Sequence, residues 1–483
     1  MTFCRALVCC LAAAFLAAGS ASAEVRIGVA DDLGIHGDQS EWFFDNLGEL
    51  GMTENRVFVP FDPAEPTTIQ NQAALDLYVP LASLRGVRVV FSVAPVTARA
   101  LSQRPQTARQ FAEYVALLAT TYPTVKDFIV GNEPNQPRFQ QPQFDRAGRN
   151  VSAAAYYSML AASYDALKAV DPAIKVIGLG LSPRGNDQPR AYDNVSTSPV
   201  RFLHALGNAY RRSGRTKPIM DELAFHPYPD HDRDPLMKGY RWPNAGVPNL
   251  GRIKQAFWDA FRATGQPTFG EGRSRGRLTF RLDELGWQAA VPYANDAYHG
   301  RESVLPTDER SQAAIYRDAI RYLACDASVS SILFFLLRDE ADLERWQAGL
   351  VRADGSRRPS FDAVKAAFAA TRGRCSGQMR PWYHSTAVDG ARVTFPKTRV
   401  LPARRLSLAL VANADEDAAV EASLYRGARR VLRQRSSVKA YRSRIVRFST
   451  RFRPGRYTFR VTLRASLNPA RSKSFSAPLR IRR

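Results

Sequence analysis

Two short stretches carry the residues best suited to chemistry. In Gly131-Asn132-Glu133-Pro134-Asn135 a carboxyl group follows the apolar run Phe128-Ile129-Val130, and in Asp283-Glu284-Leu285-Gly286-Trp287 another follows Leu278 to Leu282. A carboxyl group at the end of a strand reaches into whatever cleft the strand ends line. Two of them, brought to one cleft by different strands, meet the needs of glycosidic bond cleavage: one protonates the leaving oxygen while the other attacks or stabilises the sugar cation. Neither stretch is specific alone, because Asn-Glu-Pro also ends a strand at a proline turn and leaves a solvated glutamate. Asp221-Glu222-Leu223 echoes Asp283-Glu284-Leu285, but Glu222 lies inside its apolar run rather than at its end, which predicts a structural role.

The elements that must deliver these groups form a regular series. Val25 to Val29, Val57 to Val59, Val87 to Val93, Phe128 to Val130, Ile174 to Leu179, Ile219 to Phe225, Leu278 to Leu282 and Ile332 to Leu337 read as strands. Between them Trp42 to Leu50, Thr107 to Thr120, Ala153 to Ala169, Ile253 to Ala263 and Gln312 to Leu323 read as helices, with apolar residues at three- and four-residue spacing. Such alternation implies an α/β fold with parallel pairing. Eight units close into a (β/α)8 TIM barrel, whose active site lies at the C-terminal ends of its strands. An open doubly wound sheet is the main rival, yet no glycine-rich phosphate loop follows any strand. The stretch Pro227 to Gly276 is long for a connection and predicts an insertion over the rim.

Asn132-Glu133-Pro134 closes the fourth strand, Glu284 ends the seventh ahead of Gly286-Trp287, and Phe225-His226-Pro227-Tyr228 closes the sixth. On these motifs residues 24–372 resemble the glycoside hydrolases of clan A, particularly families 5 and 39. The resemblance implies a retaining enzyme that needs no cofactor, with Glu133 as acid/base, Glu284 as nucleophile and Asn132 as donor to the sugar 2-hydroxyl. It also implies that His226 or Tyr228 hydrogen-bonds the nucleophile. Trp346 and Trp287 have the aromatic faces that stack on sugars, although core packing suits Trp287 equally well. Arg56 is faintly similar to the second-strand arginine of the clan but stands before its expected strand, at the wrong end, and receives no role. No metal-ligand spacing is present.

The remaining sequence bounds where this chemistry would work. With 483 residues and 45% apolar content the chain suits one large and one smaller domain, and its composition excludes disorder and collagen-like structure. Residues 1–23, with Arg5, the apolar stretch Ala6 to Ala18 and Ala21-Ser22-Ala23 ahead of Glu24, read as a cleaved secretory signal. The apolar stretch is shorter than the ~20 residues of a spanning helix, so no membrane span is expected after cleavage. The protein would then be secreted, extracellular or associated with periplasm or cell wall. Cleavage removes Cys4, Cys9 and Cys10, and the remaining pair, Cys325 and Cys375, predicts one disulfide in an oxidising compartment.

Charge divides the chain as well. Residues 24–376 would form the barrel domain, while residues 377–483 hold 25 Lys/Arg against 5 Asp/Glu, which accounts for +20 of the overall +23. In the latter, Tyr457, Phe459, Val461 and Leu463 alternate with Thr458, Arg460, Thr462 and Arg464, the pattern of a half-buried strand. About seven such strands predict a small all-β, Ig-like sandwich. Its Arg-rich face suits an anionic polymer or cell wall, and equally a merely solvated surface. Nucleic acid is not expected, since no binding motif accompanies the charge in an exported chain. The expected substrate is a β-linked oligo- or polysaccharide. A carbohydrate- or cell-wall-binding protein without turnover is the alternative from another class, and both carboxyl groups argue against it. A transglycosylase differs only in what intercepts the covalent intermediate.

Overall fold

The computed structural model describes residues 24–291, 296–397, 400–403 and 405–482; the expected signal, residues 1–23, lies outside them. Strands β1 (Arg26–Ala30), β2 (Glu54–Phe61), β3 (Arg88–Pro95), β4 (Asp127–Val130), β5 (Lys175–Leu181), β6 (Glu222–Phe225), β7 (Thr279–Leu285) and β8 (Val329–Phe334) pair in parallel in chain order. β8 pairs back onto β1, closing a (β/α)8 barrel. Around it lie α1 (Ser40–Leu50), α2 (Gln72–Leu84), α3 (Ala100–Gln103), α4 (Thr107–Thr121), α5 (Ser152–Val170), α6 (Pro199–Ser213), α7 (Leu250–Phe261), α8 (Glu309–Leu323) and α9 (Pro359–Thr371). Helix ends carry their sequence signals. α6 starts on Pro199 and stops at Gly214 in the left-handed conformation, and α8 is capped by Asp308, which accepts from Ser311 N–H.

Strand side chains alternate, so residues two apart share a face, and the barrel interior fills in layers. Its floor is ionic. Arg281 of β7, fully buried, donates to Glu222 (3.0 Å), Glu54 (3.0 Å) and Asp127 (2.9 Å), while Arg26 and Arg88 pair with Glu54 and Asp127. Above the floor Val90, Ile129, Ile177 and Ala224 form a small apolar layer with no exposure. Close approach is needed too: a Cβ on Gly28 of β1 would lie 2.0 Å from the Glu54 carbonyl oxygen, so only glycine lets β2 pair there.

The ionic floor moves one strand boundary. β2 begins at Glu54, three residues ahead of the apolar run Val57 to Val59, because Glu54, Asn55 and Arg56 are polar yet buried inside the molecule. At the other end of the series β8 stops at Phe334 rather than Leu337. Between β6 and α7 the chain crosses the rim, where the Asp234 carbonyl accepts from Trp287 Nε1–H (3.0 Å). Trp287 is 2% exposed, so it packs in the core and offers no sugar platform.

Cys325, just past α8, and Cys375, just past α9, form a disulfide. Beyond it the chain makes eight strands rather than about seven among the described residues. β10 (Val400–Pro402), β16 (Ser472–Arg482), β15 (Gly455–Ala465), β12 (Ala418–Arg426) and β13 (Arg429–Val438) form one sheet in that order; β14 (Ser443–Arg451), β11 (Arg405–Asn413) and β9 (Arg392–Thr394) form the other. Leu410, Leu424, Phe448, Phe459 and Val461 fill the core between them. This unit docks on α6 and α7 through Arg201–Asp417 (3.1 Å) and Arg471–Asp259 (3.2 Å). Among the described residues no helix is long and apolar enough to cross a membrane.

Candidate active site

β4 ends at Val130 and the chain then turns sharply across the barrel mouth. Gly131 has φ 79° and Glu133 φ 37°, both left-handed. For a glutamate followed by proline this conformation costs roughly 1–3 kcal/mol, the sort of strain that collects at functional sites. Two hydrogen bonds offset it. Glu133 N–H donates to the Gly180 carbonyl (2.9 Å), and the Tyr156 hydroxyl donates to the Val130 carbonyl (2.6 Å). The turn thereby holds the Glu133 side chain, 15% exposed, over the mouth.

β7 reaches the same place by a different device. Its pairing with β8 shifts register between Leu282 and Leu285. A regular strand would send Asp283 and Glu284 to opposite faces, whereas an irregular strand end re-aims one of them. Both carboxyl groups accordingly meet the same two cations. Arg56 Nη1 lies 2.9 Å from Glu284 Oε1 and its Nε 3.3 Å from Asp283 Oδ2, while its Nη2 donates to Asn132 Oδ1 (2.7 Å). His226, next after β6, places Nε2 3.2 Å from Asp283 Oδ2 and Nδ1 3.0 Å from Glu133 Oε1 and 3.4 Å from Glu284 Oε2. Glu133 and Glu284 thus share one nitrogen, so their facing oxygens are no further apart than those two distances combined.

Tyr228 donates to Glu284 Oε2 (2.8 Å). Of the two sixth-strand candidates it is Tyr228 that makes the short hydrogen bond to Glu284, while His226 spends its shortest contact on Glu133. Burial, and then the Glu284 charge, raise the Tyr228 pKa well above the usual value, so the phenol stays a donor. Burial opposes charge on His226, but Glu284, Asp283 and Glu133 overcome it and raise its pKa to about 10. Burial likewise disfavours a charged Asp283, and His226 and Arg56 reverse that, holding its pKa below the ordinary value. Arg56 is kept charged by Glu284 and Asp283 against its own burial.

Trp346 is half-buried and tilts against Tyr228 (4.8 Å between ring centroids) beside Phe335 (5.4 Å), forming an aromatic wall next to Glu284. A cleft of about 660 Å³ opens above β1, β2 and β8, lined by Asp32, His36, Arg56, Phe58, His299 and Phe335. Glu133 and Glu284 lie outside its lining; Arg56 and Phe335 join it to them. The structure therefore gathers Asn132, Glu133, His226, Tyr228, Glu284 and Trp346 at one end of the barrel. Glu222 is held by Arg281 in the floor and takes no part.

Two residues without a role in the sequence reading belong to this cluster. Arg56 corrects that reading: it is the third residue of β2, and its long side chain climbs from inside the barrel to the mouth. Asp283 carried a signal that was readable, since it stands two residues from Arg281 and must share its inward face. No protein-family model and no curated protein matches this chain. Among solved structures it is similar to a family 39 glycoside hydrolase from the gut symbiont Bacteroides cellulosilyticus WH2, with TM-score 0.48 and 14% identity over 88% of this chain and 81% of that one. A monomeric β-xylosidase from Caulobacter crescentus CB15 gives TM-score 0.46 and 14% identity over 92% and 96%. A glucosidase from Croceicoccus marinus gives 0.47 and 14% over 88% and 92%.

Proposed function

We propose that this chain is an exported glycoside hydrolase that cleaves a β-linked oligo- or polysaccharide with retention of configuration, using Glu284 as nucleophile and Glu133 as acid/base. The observation that carries this reading is the sharing of His226 Nδ1 by two carboxyl groups delivered from the ends of β4 and β7. Sharing that nitrogen, at 3.0 and 3.4 Å, keeps the two carboxyl groups close, in keeping with the pair about 5–5.5 Å apart that covalent double displacement uses. Both oxygens of Glu284 receive donors, from Arg56 and Tyr228, which fix the side chain in one orientation for attack.

In the first step Glu133 gives its proton to the departing oxygen as Glu284 Oε attacks the anomeric carbon, forming a glycosyl ester and releasing an alcohol. In the second, Glu133 takes a proton from water as that water displaces Glu284. Arg56 occupies Asn132 Oδ1, which leaves the amide N–H groups of Asn132 for a sugar 2-hydroxyl. The wall of Tyr228 and Trp346 offers an apolar face to a sugar ring. Export is supported by the signal-like N-terminal segment and by the Cys325–Cys375 disulfide, which suits an oxidising compartment.

The test is a panel of 2-deoxy-2-fluoro aryl glycosides followed by peptide mapping. The reactive sugar labels the peptide containing Glu284, and Glu284→Gln abolishes labelling. Glu133→Gln lowers turnover of an unactivated glycan by roughly 10²–10⁴-fold and that of an aryl glycoside with a good leaving group far less. Label on any other carboxylate, or full activity in either variant, refutes the assignment.

A further inference from the structure

The acids of the C-terminal unit are gathered on one side. Of the five in residues 377–483, Asp417 pairs with Arg201 of α6 and Glu416 with Arg471, which also bonds Asp259 of α7. Asp389 and Asp415 lie beside them, within electrostatic reach of Arg252 on α7. These four face the seam with the barrel. Glu421 alone stands on a strand face, between Arg433 and Arg435.

Register fixes what the outer face of the five-stranded sheet carries. Along β15, Arg456, Arg460 and Arg464 are exposed, alternating with Tyr457, Phe459, Val461 and Leu463 in the core. At every fourth residue they stand about 13 Å apart. Across the ladder Arg480 lies beside Arg456, Ser476 beside Arg460 and Ser472 beside Arg464, while Thr458 and Thr462 fill the positions between. With Arg433 and Arg435 on β13, these guanidinium groups share the face with Glu421 as its one carboxylate among the described residues. No ion pair joins Arg456, Arg460 or Arg464 to a carboxylate among the described residues.

We infer that this face binds an acidic polysaccharide, a polymer whose carboxylates recur among hydroxyl groups. Guanidinium forks match carboxylates bidentately, and the serine and threonine rows between them match sugar hydroxyls. Single-stranded nucleic acid would stack its bases on open aromatic rings. The aromatic residue of this face, Tyr425, instead has Arg460 lying over its ring at 4.6 Å. A membrane surface would take large apolar side chains into its interface, whereas this face offers the small Ala419 and Pro478 and, at its β10 edge, Val400 among its charged and hydroxyl groups. Bound this way, the chain holds its barrel beside the same polymer at high effective concentration. That consequence rests on the glycosidase reading; the binding itself does not.

The test uses the full chain and alginate as the polyuronate probe, with dextran, oligo-dT and phosphatidylglycerol vesicles as alternatives. Alginate binding is expected to weaken steeply as salt rises from about 0.05 to 0.2 M. The triple variant Arg456→Glu, Arg460→Glu, Arg464→Glu should bind alginate roughly thirtyfold or more weakly. A charge-matched triple, Arg405→Glu, Arg447→Glu, Arg451→Glu, on the outer face of the three-stranded sheet, should lose less than about threefold, as expected of charges beyond a Debye length. Unchanged thermal unfolding of both triples excludes misfolding. Equal losses in the two triples, tighter binding of oligo-dT or vesicles than of alginate, binding of dextran as strong as alginate, or no binding of alginate overturns the inference.

Discussion

His226 is the residue on which the electrostatics of the mouth turn, and its charge is directly measurable. Burial works against the imidazolium, yet Glu284, Asp283 and Glu133 raise its pKa to about 10. In the unfolded chain a histidine titrates near 6.5. Below that pH both states are protonated and the stabilisation is fully present. As pH rises the unfolded state gives up its proton first, so stability falls by about 1.4 kcal/mol per pH unit until the folded group itself titrates. Across the window from about 6.5 to 10 the loss amounts to roughly 5 kcal/mol. His226→Gln removes this dependence and leaves Glu133, Asp283 and Glu284 with Arg56 as their remaining cation. The variant should be the less stable protein at pH 6.5, and the gap should close toward pH 10. Histidine labelled with ¹³C at Cε1 reports the titration directly, the His226 resonance being assigned by its loss in the variant, and urea unfolding at several pH values reports the energy. A His226 resonance titrating at or below 6.5, or a stability gap that does not change with pH, would refute the account.

Other perturbations test the parts separately. Arg281→Met leaves Glu54, Asp127 and Glu222 buried without their shared guanidinium and should cost about 3–5 kcal/mol in chemical unfolding; a loss under about 1 kcal/mol would mean the floor is not held by charge. Arg56→Lys replaces a fork that reaches Asn132, Asp283 and Glu284 with one ammonium, and turnover on a glycoside cleaved by the parent should fall about 10²-fold with folding retained. Cys325 and Cys375 close a loop of 50 residues, so replacing both with serine should lower stability by about 4 kcal/mol, measured against the parent under non-reducing conditions.

Much of this was legible in the residues because barrel strands buried on both sides read as apolar runs. The eight strands and their order emerge from that signal, and so does the position of Glu133, which sits where a short apolar run meets Pro134. The signal fails where the interior is charged. Glu54-Asn55-Arg56 looks like a solvated lead-in to Val57, whereas these residues open β2 and are buried against Arg281, Tyr78 and the mouth. Hydrophobicity cannot tell a buried ion pair from a surface one, since the partner comes from a distant strand. Glu284 was found at the end of its run, but the register shift that brings it and Asp283 to the same cations is a property of pairing with β8 and leaves no local trace.

The layering of the interior also explains how one barrel end can keep so many ionisable groups and still assign them different tasks. Inward positions along β6 and the residue after it run Glu222, Ala224, His226, from floor through the apolar layer to mouth, a climb of about 13 Å. In the floor three arginines, Arg26, Arg88 and Arg281, face three carboxylates, Glu54, Asp127 and Glu222, and the charges cancel without help from above. In the mouth two cations, Arg56 and His226, face three carboxyl groups. Asp283 is fully buried between both cations, which hold its pKa below the ordinary value, and Glu284 is held in place by Arg56 and Tyr228. Glu133 is the one of the three that receives neither Arg56 nor Tyr228 and meets the cluster through His226 Nδ1, so under the proposed mechanism it is the carboxyl group least tied to its neighbours and the one left to face the departing oxygen.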